Sequence, residues 1–202
     1  MGVTTDFVGH LDITPALNDA EVEYLTAFGL SRRCVRPGGP YEVPGNPLAE
    51  SSEGFSADTY NTPAKGQPQL WCDWSVCWDG CCITWSGKEK SYQMTAWLKY
   101  LIAHFLKPGA KAMGEPGFEE FTFDHVVDGQ VVGCRRDNKE LFSIVVSNNR
   151  VRQRVLKAGD TRLSAFPPLP YEKEIDDWGV RTRRRRRGRG ADNVIELPAT
   201  GP

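Results

Sequence analysis

The stretch Trp71 to Lys90, WCDWSVCWDGCCITWSGKEK, constrains the fold most, because four of the six cysteines and four of the six tryptophans gather around one turn signal. Asp79-Gly80 is a favoured pair for a two-residue hairpin turn in which both central residues take positive φ. Such a turn sets Trp78 opposite Cys81 and Cys77 opposite Cys82, and strand alternation then separates two faces. Cys72, Trp74, Val76, Trp78, Cys81, Ile83 and Trp85 form an apolar face, whereas Trp71, Asp73, Ser75, Cys77, Cys82, Thr84 and Ser86 form a polar one. Two thiols are expected to point inward and two outward, which disfavours a metal cluster. Their spacing also departs from the paired C-x-x-C pattern of zinc ribbons. Cys77 and Cys82 read as adjacent surface thiols, with a redox-sensitive pair as the alternative.

A chain of 202 residues, 40% of them hydrophobic, suits one domain with an appendage. No apolar run approaches the ~18 residues of a membrane span, and no charged-then-apolar leader opens the sequence, so a cytoplasmic protein without a membrane partner is expected. Asp6 occupies the place where a myristoylation signal would carry Ser or Thr. Without a secretory signal the cysteines read as reduced thiols. The net charge of −1 conceals a strong asymmetry. Arg181, Arg183, Arg184, Arg185, Arg186, Arg187 and Arg189 fall within ten residues; with Asp192 and Glu196 also set aside, 18 basic against 24 acidic residues leave 1–180 at −6.

Val3 to Ile13 alternates weakly and reads as a strand. Asn18-Asp19-Ala20-Glu21 is a variant capping box, followed to Arg33 by Val22, Leu25 and Phe28 at helical spacing, with acids early and Arg32 and Arg33 late. Residues 36–69 are rich in Pro and Gly and lose periodicity, a long loop in which Tyr41, Phe55 and Tyr60 are expected to pack. After the hairpin, Ser91 is placed to cap a core helix from Tyr92 to Leu106 that Lys107-Pro108-Gly109 stops. The pattern then switches to period two. Asp128-Gly129 and Asn148-Asn149 are read as hairpin turns and residues 137–140 as a looser one, giving strands near 119–127, 130–136, 141–147 and 150–157.

The expected fold is therefore α+β: two helices on an antiparallel sheet in the split βαββαβ, ferredoxin-like order, extended by a C-terminal β-meander. One domain is expected over residues 3–159. Residues 160–202 read as a disordered basic tail, with Phe166-Pro167-Pro168-Leu169-Pro170 as a stiff spacer and the arginine-rich run at 181–190.

Few constellations carry chemistry. His125 and Cys134 share a face of the expected Asp128-Gly129 hairpin, but Phe121, Phe123, Val127 and Val132 around them favour core residues over a Cys-His nucleophile. No phosphate-binding glycine loop, nucleophile elbow or His-x-x-x-His motif occurs. Leu197-Pro198-Ala199-Thr200-Gly201 spells a sortase pattern without the flanking segments that such a signal needs. On the Asn148-Asn149 hairpin, Phe142, Ile144 and Val146 pair with Val151, Gln153 and Val155, which leaves Arg150, Arg152 and Arg154 as a ladder on the other face. Such a ladder can track phosphates or serve simply as a solvated face. The run at 181–190 can bind nucleic acid or an acidic protein. A ligand site is also expected where the long loop meets the end of the first helix, with Arg32, Arg33, Tyr41, Tyr60, Asn61, Gln67 and Trp71 mixing cationic, amide and aromatic groups; anchoring of the loop is the plainer alternative.

Gly9-His10-Leu11-Asp12-Ile13, Pro15, Leu17-Asn18, Ser31-Arg32-Arg33, Gly39-Pro40-Tyr41, Gly66-Gln67-Pro68, Leu70-Trp71-Cys72-x-Trp74 and the run from Trp97 to Ala110 together resemble an uncharacterised family of small bacterial and phage proteins. The resemblance runs from about Val3 to Gly159. It implies one compact domain and brings no activity; Cys77 and Cys82 stand outside its pattern.

The expected function is that of a binding or accessory protein, contacting nucleic acid through its arginines, with no metal and no cofactor. The rival is a small enzyme acting on a nucleotide-like or phosphorylated substrate, with Arg32 and Arg33 as anion clamps and Asp124 or His125 as proton carrier.

Overall fold

A computed structural model describes residues 3–160, which belong to the first of two compact units, Met1–Leu163; the second, Ser164–Pro202, lies outside the described residues. Six strands form the sheet: β1 (Thr5–Thr14), β2 (Trp74–Val76), β3 (Cys82–Trp85), β4 (Val126–Arg135), β5 (Leu141–Ser147) and β6 (Arg150–Lys157). Their order is β2-β3-β1-β4-β5-β6, with every pair antiparallel. Helix α1 (Asp19–Leu30) follows β1, the short α2 (Ala57–Tyr60) interrupts the long loop, and α3 (Met94–Leu101) precedes β4.

The Asn18 capping box forms as its residues dictate: Asn18 Oδ1 accepts from the Glu21 N–H at 3.0 Å while Glu21 Oε2 accepts from the Asn18 N–H at 2.9 Å. The helix ends at Leu30, sooner than expected, so Arg32 and Arg33 lie beyond its last turn and do not serve its dipole. Helix α3 starts after Gln93, which takes φ +55°. Ser91 is not its cap; that hydroxyl donates to the Lys88 carbonyl and accepts from Trp85 Nε1 at 2.8 Å. Past Leu101 the helix widens into a π-helical turn, Ile102–Leu106.

Both helices bury their apolar stripes on one side of the sheet. Leu25 and Phe28 from α1 and Trp97, Leu98 and Leu101 from α3 share a core with Phe7, Leu11, Ile13, Trp74, Ile83, Val127, Val131 and Ile144. Phe28 stacks edge-on against Trp97 and Phe105, at ring centroid distances of 6.0 and 5.2 Å. The opposite sheet face is open: Val8 is 76% exposed, and His10, Asp12, Asp128 and Gln130 face solvent beside it.

The hairpin register around Trp74↔Trp85, Ser75↔Thr84 and Val76↔Ile83 agrees with the sequence reading, but the turn does not. Only Gly80 takes positive φ, +71°, and the Gly80 N–H bonds back to the Cys77 carbonyl at 3.1 Å, so Trp78 to Cys81 form a four-residue loop between Cys77 and Cys82. Cys81 and Trp78 therefore leave the apolar face, and both are exposed. A Cβ at position 80 would lie 2.5 Å from the Leu17 carbonyl oxygen, which fixes glycine there.

The Asp128-Gly129 hairpin is absent as well. β4 runs straight through it because all ten residues of β1 pair with β4, from Thr5↔Arg135 to Thr14↔Val126. Long-range pairing outweighs a local turn preference. Gly129 serves instead as a close-approach position: at φ +130°, a Cβ would meet His10 O at 3.1 Å and Leu11 Cα at 3.2 Å. Consequently the expected strand near 119–127 has no partner up to His125, although Phe121, Phe123 and His125 still alternate inward.

Leu101 on α3 is 4% exposed within the core while Lys99 faces water. Leu101→Ala should lower unfolding stability by about 2–5 kcal/mol and Lys99→Ala by less than about 0.5 kcal/mol in denaturant titrations; equal effects would mean that the helix presents another face.

Candidate nucleic-acid interface

The Asn148-Asn149 turn has both residues at positive φ, 48° and 65°, as a two-residue hairpin requires. It sets Ser147↔Arg150, Val145↔Arg152 and Ser143↔Arg154, so the three arginines project from one face of edge strand β6. That face is the open face of the sheet, since Phe142, Ile144 and Val146 point into the core. Val145, Ser147, Asn148, Arg150 and Arg152 line a shallow depression of ≈ 320 Å³.

Eight arginines lie among the described residues, and five have partners. Arg135 pairs with Asp137 at 2.7 Å and Arg136 with Asp6 at 2.7 Å. Arg36 is buried against Glu50. Arg32 and Arg33 are held by the loop, as described below. The side chains of Arg150, Arg152 and Arg154 alone make no hydrogen bond or ion pair with a described residue, and all three are exposed. Two strand residues rise about 6.6–6.8 Å, so this is an evenly spaced row of unneutralised cations. The seven arginines at 181–189 lie outside the described residues.

The loop residues expected to bind a ligand are instead bonded to one another. Arg33 is fully buried, with its guanidinium 3.9 Å from the Phe28 ring centre and donating to Ser31 Oγ, the Glu42 carbonyl and the Pro40 carbonyl at 2.8, 3.0 and 2.6 Å. Burial pulls its pKa downward. Gln67 is also buried and donates to the Pro40 carbonyl. Tyr41 Oη meets His104 Nδ1 at 2.7 Å, and burial, with Lys111 adding, pushes His104 down to about 4, so this imidazole is neutral at pH 7. Arg32 donates to the Tyr60 carbonyl and to Asn61 Oδ1, both at 2.9 Å, and lies over the Tyr60 and Trp71 rings. Lys88 approaches Trp71 as well, 4.6 Å from the ring centre. Arg33 and Gln67 are closed to solvent, and the set as placed ties the loop to the body.

His125 is likewise enclosed, which corrects its placement on a hairpin with Cys134. Its Nδ1 meets the Pro15 carbonyl at 2.8 Å, and its Nε2 lies 3.0 Å from both Glu21 Oε1 and Thr122 Oγ1. His125 has no partner in common with Arg32 or Arg33, so the clamps and proton carrier of the enzyme reading are not assembled. Nothing in the sequence links Glu21 to His125; the capping box accounts for only one of the two carboxylate oxygens.

The hairpin loop holds a further arrangement that the two-in, two-out reading excluded. Cys77, Cys81 and Cys82 converge, with Cys77 and Cys81 sulfurs 3.6 Å apart and Asp79 Oδ1 accepting from Cys81 Sγ at 3.2 Å. The bond to Asp79, then Cys77, pushes the Cys81 thiol up to about 12, while burial followed by Cys77 takes Cys82 up to about 11. Only Cys72 of the four is buried.

No family model, curated protein or solved structure matches this chain.

Burial alone would raise the Glu21 pKa, yet hydrogen bonds from His125 and from the Asn18 and Thr122 N–H groups bring it below 4.5. A folded pKa below the unfolded one means that the unfolded chain binds more protons, so this contribution is complete above about pH 4.5 and is lost as pH falls through the lower folded value. Glu21→Gln should flatten the acid limb of the stability profile, and Glu21→Ala should cost about 3–5 kcal/mol at pH 7 by stranding buried partners. An unchanged acid limb in Glu21→Gln would contradict this assignment.

Proposed function

We propose that the protein binds nucleic acid through its sugar-phosphate backbone, with the Arg150, Arg152 and Arg154 row as the folded contact and the arginine-rich run at 181–190 as a second contact. The observation that carries this reading is the sorting of the arginines: five of the eight described are bonded internally, and the three whose side chains have no described partner stand in register on one strand. An arginine spaced in this way neutralises phosphates and releases counterions without reading bases. The strand residues of the open face include Val8, Val132 and Val145 but no Phe, Tyr or Trp, which favours sequence-independent backbone contact over base stacking. Asp128 and Asp12 continue the cross-strand row of Arg150 and Ser147 toward the middle of the sheet, so a polyanion is steered along β6 rather than across the sheet.

The strand order β2-β3-β1-β4, with α1 between β1 and β2 and α3 between β3 and β4, supports a ferredoxin-like reading extended by β5 and β6. Kinship with small bacterial and phage proteins, a cytoplasmic setting and an acidic protein as an alternative tail partner belong to the same proposal. Among the described residues no helix is long and apolar enough to cross a membrane.

Binding of the full chain to a single-stranded homopolymer should weaken linearly in log K against log salt. Replacing Arg150, Arg152 and Arg154 together with Gln should flatten that slope by about 2, from ~0.7 per phosphate on a single strand. Deleting 181–189 should remove the larger share of the slope. A triple variant with unchanged affinity and slope would take β6 out of the interface, and a full chain that does not bind at low salt would end the reading.

A further inference from the structure

The six residues Cys77 to Cys82 bring four soft or anionic donors to one side of a buttressed loop. The sulfurs of Cys77, Cys81 and Cys82 all lie within 4.8 Å of one another, and Cys77 and Cys81 are 3.6 Å apart. With metal-sulfur bonds of about 2.3 Å, neighbouring sulfurs of a tetrahedral zinc site stand about 3.8 Å apart, so closure requires only side-chain adjustment. Asp79 Oδ1, 3.2 Å from Cys81 Sγ, is within reach as an oxygen ligand. The Cys82 N–H donates to Cys77 Sγ at 2.8 Å, a bond that strengthens when the sulfur becomes a thiolate.

The backbone beneath these groups is fixed before any ion arrives. The Cys77 N–H bonds to the Cys82 carbonyl at 3.0 Å, the Ile13 N–H to the Cys81 carbonyl at 2.8 Å and the Leu17 N–H to the Gly80 carbonyl at 3.1 Å. The loop is thus pinned to the connection between β1 and α1, while the thiols face outward. A surface loop gains nothing in packing from three converging sulfurs beside a carboxylate, because two of these residues, Asp79 and Cys81, are exposed. A divalent cation that enters displaces the thiol protons and offsets the thiolate charge that results.

We propose that Cys77, Cys81 and Cys82, with Asp79 as oxygen donor, form a site for a thiophilic divalent cation of the zinc type. Trp78, 90% exposed at the tip of the same loop, stands beside the site and provides an optical reporter. The site differs from paired C-x-x-C knuckles because one hairpin supplies every ligand.

The test uses the full chain, fully reduced, with six titratable thiols verified beforehand. Co2+ is titrated as the spectroscopic probe and Zn2+ as competitor. The expected result is one Co2+ per chain with thiolate-to-cobalt charge transfer and tetrahedral ligand-field bands, both abolished by stoichiometric Zn2+. Cys81→Ser should weaken Co2+ binding at least ~100-fold, beyond what the loss of an outer partner costs, while Cys134→Ser on β4 leaves it unchanged. Since Cys81 is exposed, its variant should unfold at the same temperature as the parent without metal, which separates ligand loss from misfolding. Asp79→Asn should retain the charge-transfer band with weaker affinity; unchanged affinity would remove Asp79 from the site. Absence of stoichiometric Co2+ in the reduced chain would overturn the proposal, as would binding that survives the triple Cys77, Cys81, Cys82 to Ser variant. Isolation of the chain with Cys77 and Cys81 joined as a disulfide, and no binding after reduction, would assign the pair to redox chemistry instead.

Discussion

One layer of helices on one face of a six-stranded antiparallel sheet is the constraint on which the rest depends. The core is made where α1 and α3 press Phe28, Trp97, Leu98 and Leu101 onto the sheet. Among the described residues no second layer covers the other side, so every strand that crosses the centre must be apolar on one face and tolerate water on the other. β1 does this with Phe7, Leu11 and Ile13 inward and Val8, His10 and Asp12 outward. The outer strands, β2 and β6 among the described residues, are the edges at which a sheet risks pairing with another chain. β6, one of those edges, carries three arginines, and the same charges that discourage edge pairing provide the row of cations for a polyanion.

Arginine has two fates here, and the backbone around it decides between them. The loop over residues 36–69 has little regular structure, so its inward carbonyls need donors from elsewhere. Arg33 meets that need at Pro40 and Glu42, and Arg36 donates to the Arg32 carbonyl just before the loop. Burying such cations costs desolvation that fixed hydrogen bonds must offset, which is why their partners are so many. On β6 the carbonyls that point into the sheet are engaged by β5, those at the edge meet water, and the arginine side chains bond to no described acid. Composition alone does not separate a structural arginine from an available one; the location of unsatisfied backbone does.

Three turn signals of similar chemistry show how much of this was legible in the sequence. Asn148-Asn149 forms the expected two-residue turn because both flanking strands are long and pair with no competing partner there. Asp79-Gly80 forms a wider loop because its Gly80 is pinned on Leu17, a contact invisible to local reading. Asp128-Gly129 forms no turn at all because ten residues of β1 demand a straight partner. The register of the first hairpin survived the error in turn type, whereas the position of Cys81 did not, and with it went the convergence of three thiols. Likewise the Asn18 capping box was readable from four adjacent residues, but the second role of Glu21 depends on His125, 104 positions away. Period-two burial at Phe121, Phe123 and His125 was also readable; the missing strand partner was not.

The most direct test of the central claim is residue-level mapping of the polyanion on the folded chain. Amide chemical shifts of the full-length protein, followed during titration with a short single-stranded oligonucleotide at low salt, should move over Ser147 to Lys157 and at the Arg150, Arg152 and Arg154 guanidinium signals. The Arg33 guanidinium signal should stay still, since that group is buried under Pro40. Shifts confined to the region after residue 160, or centred on Arg32, Tyr60 and Trp71 with β6 unchanged, would contradict the account.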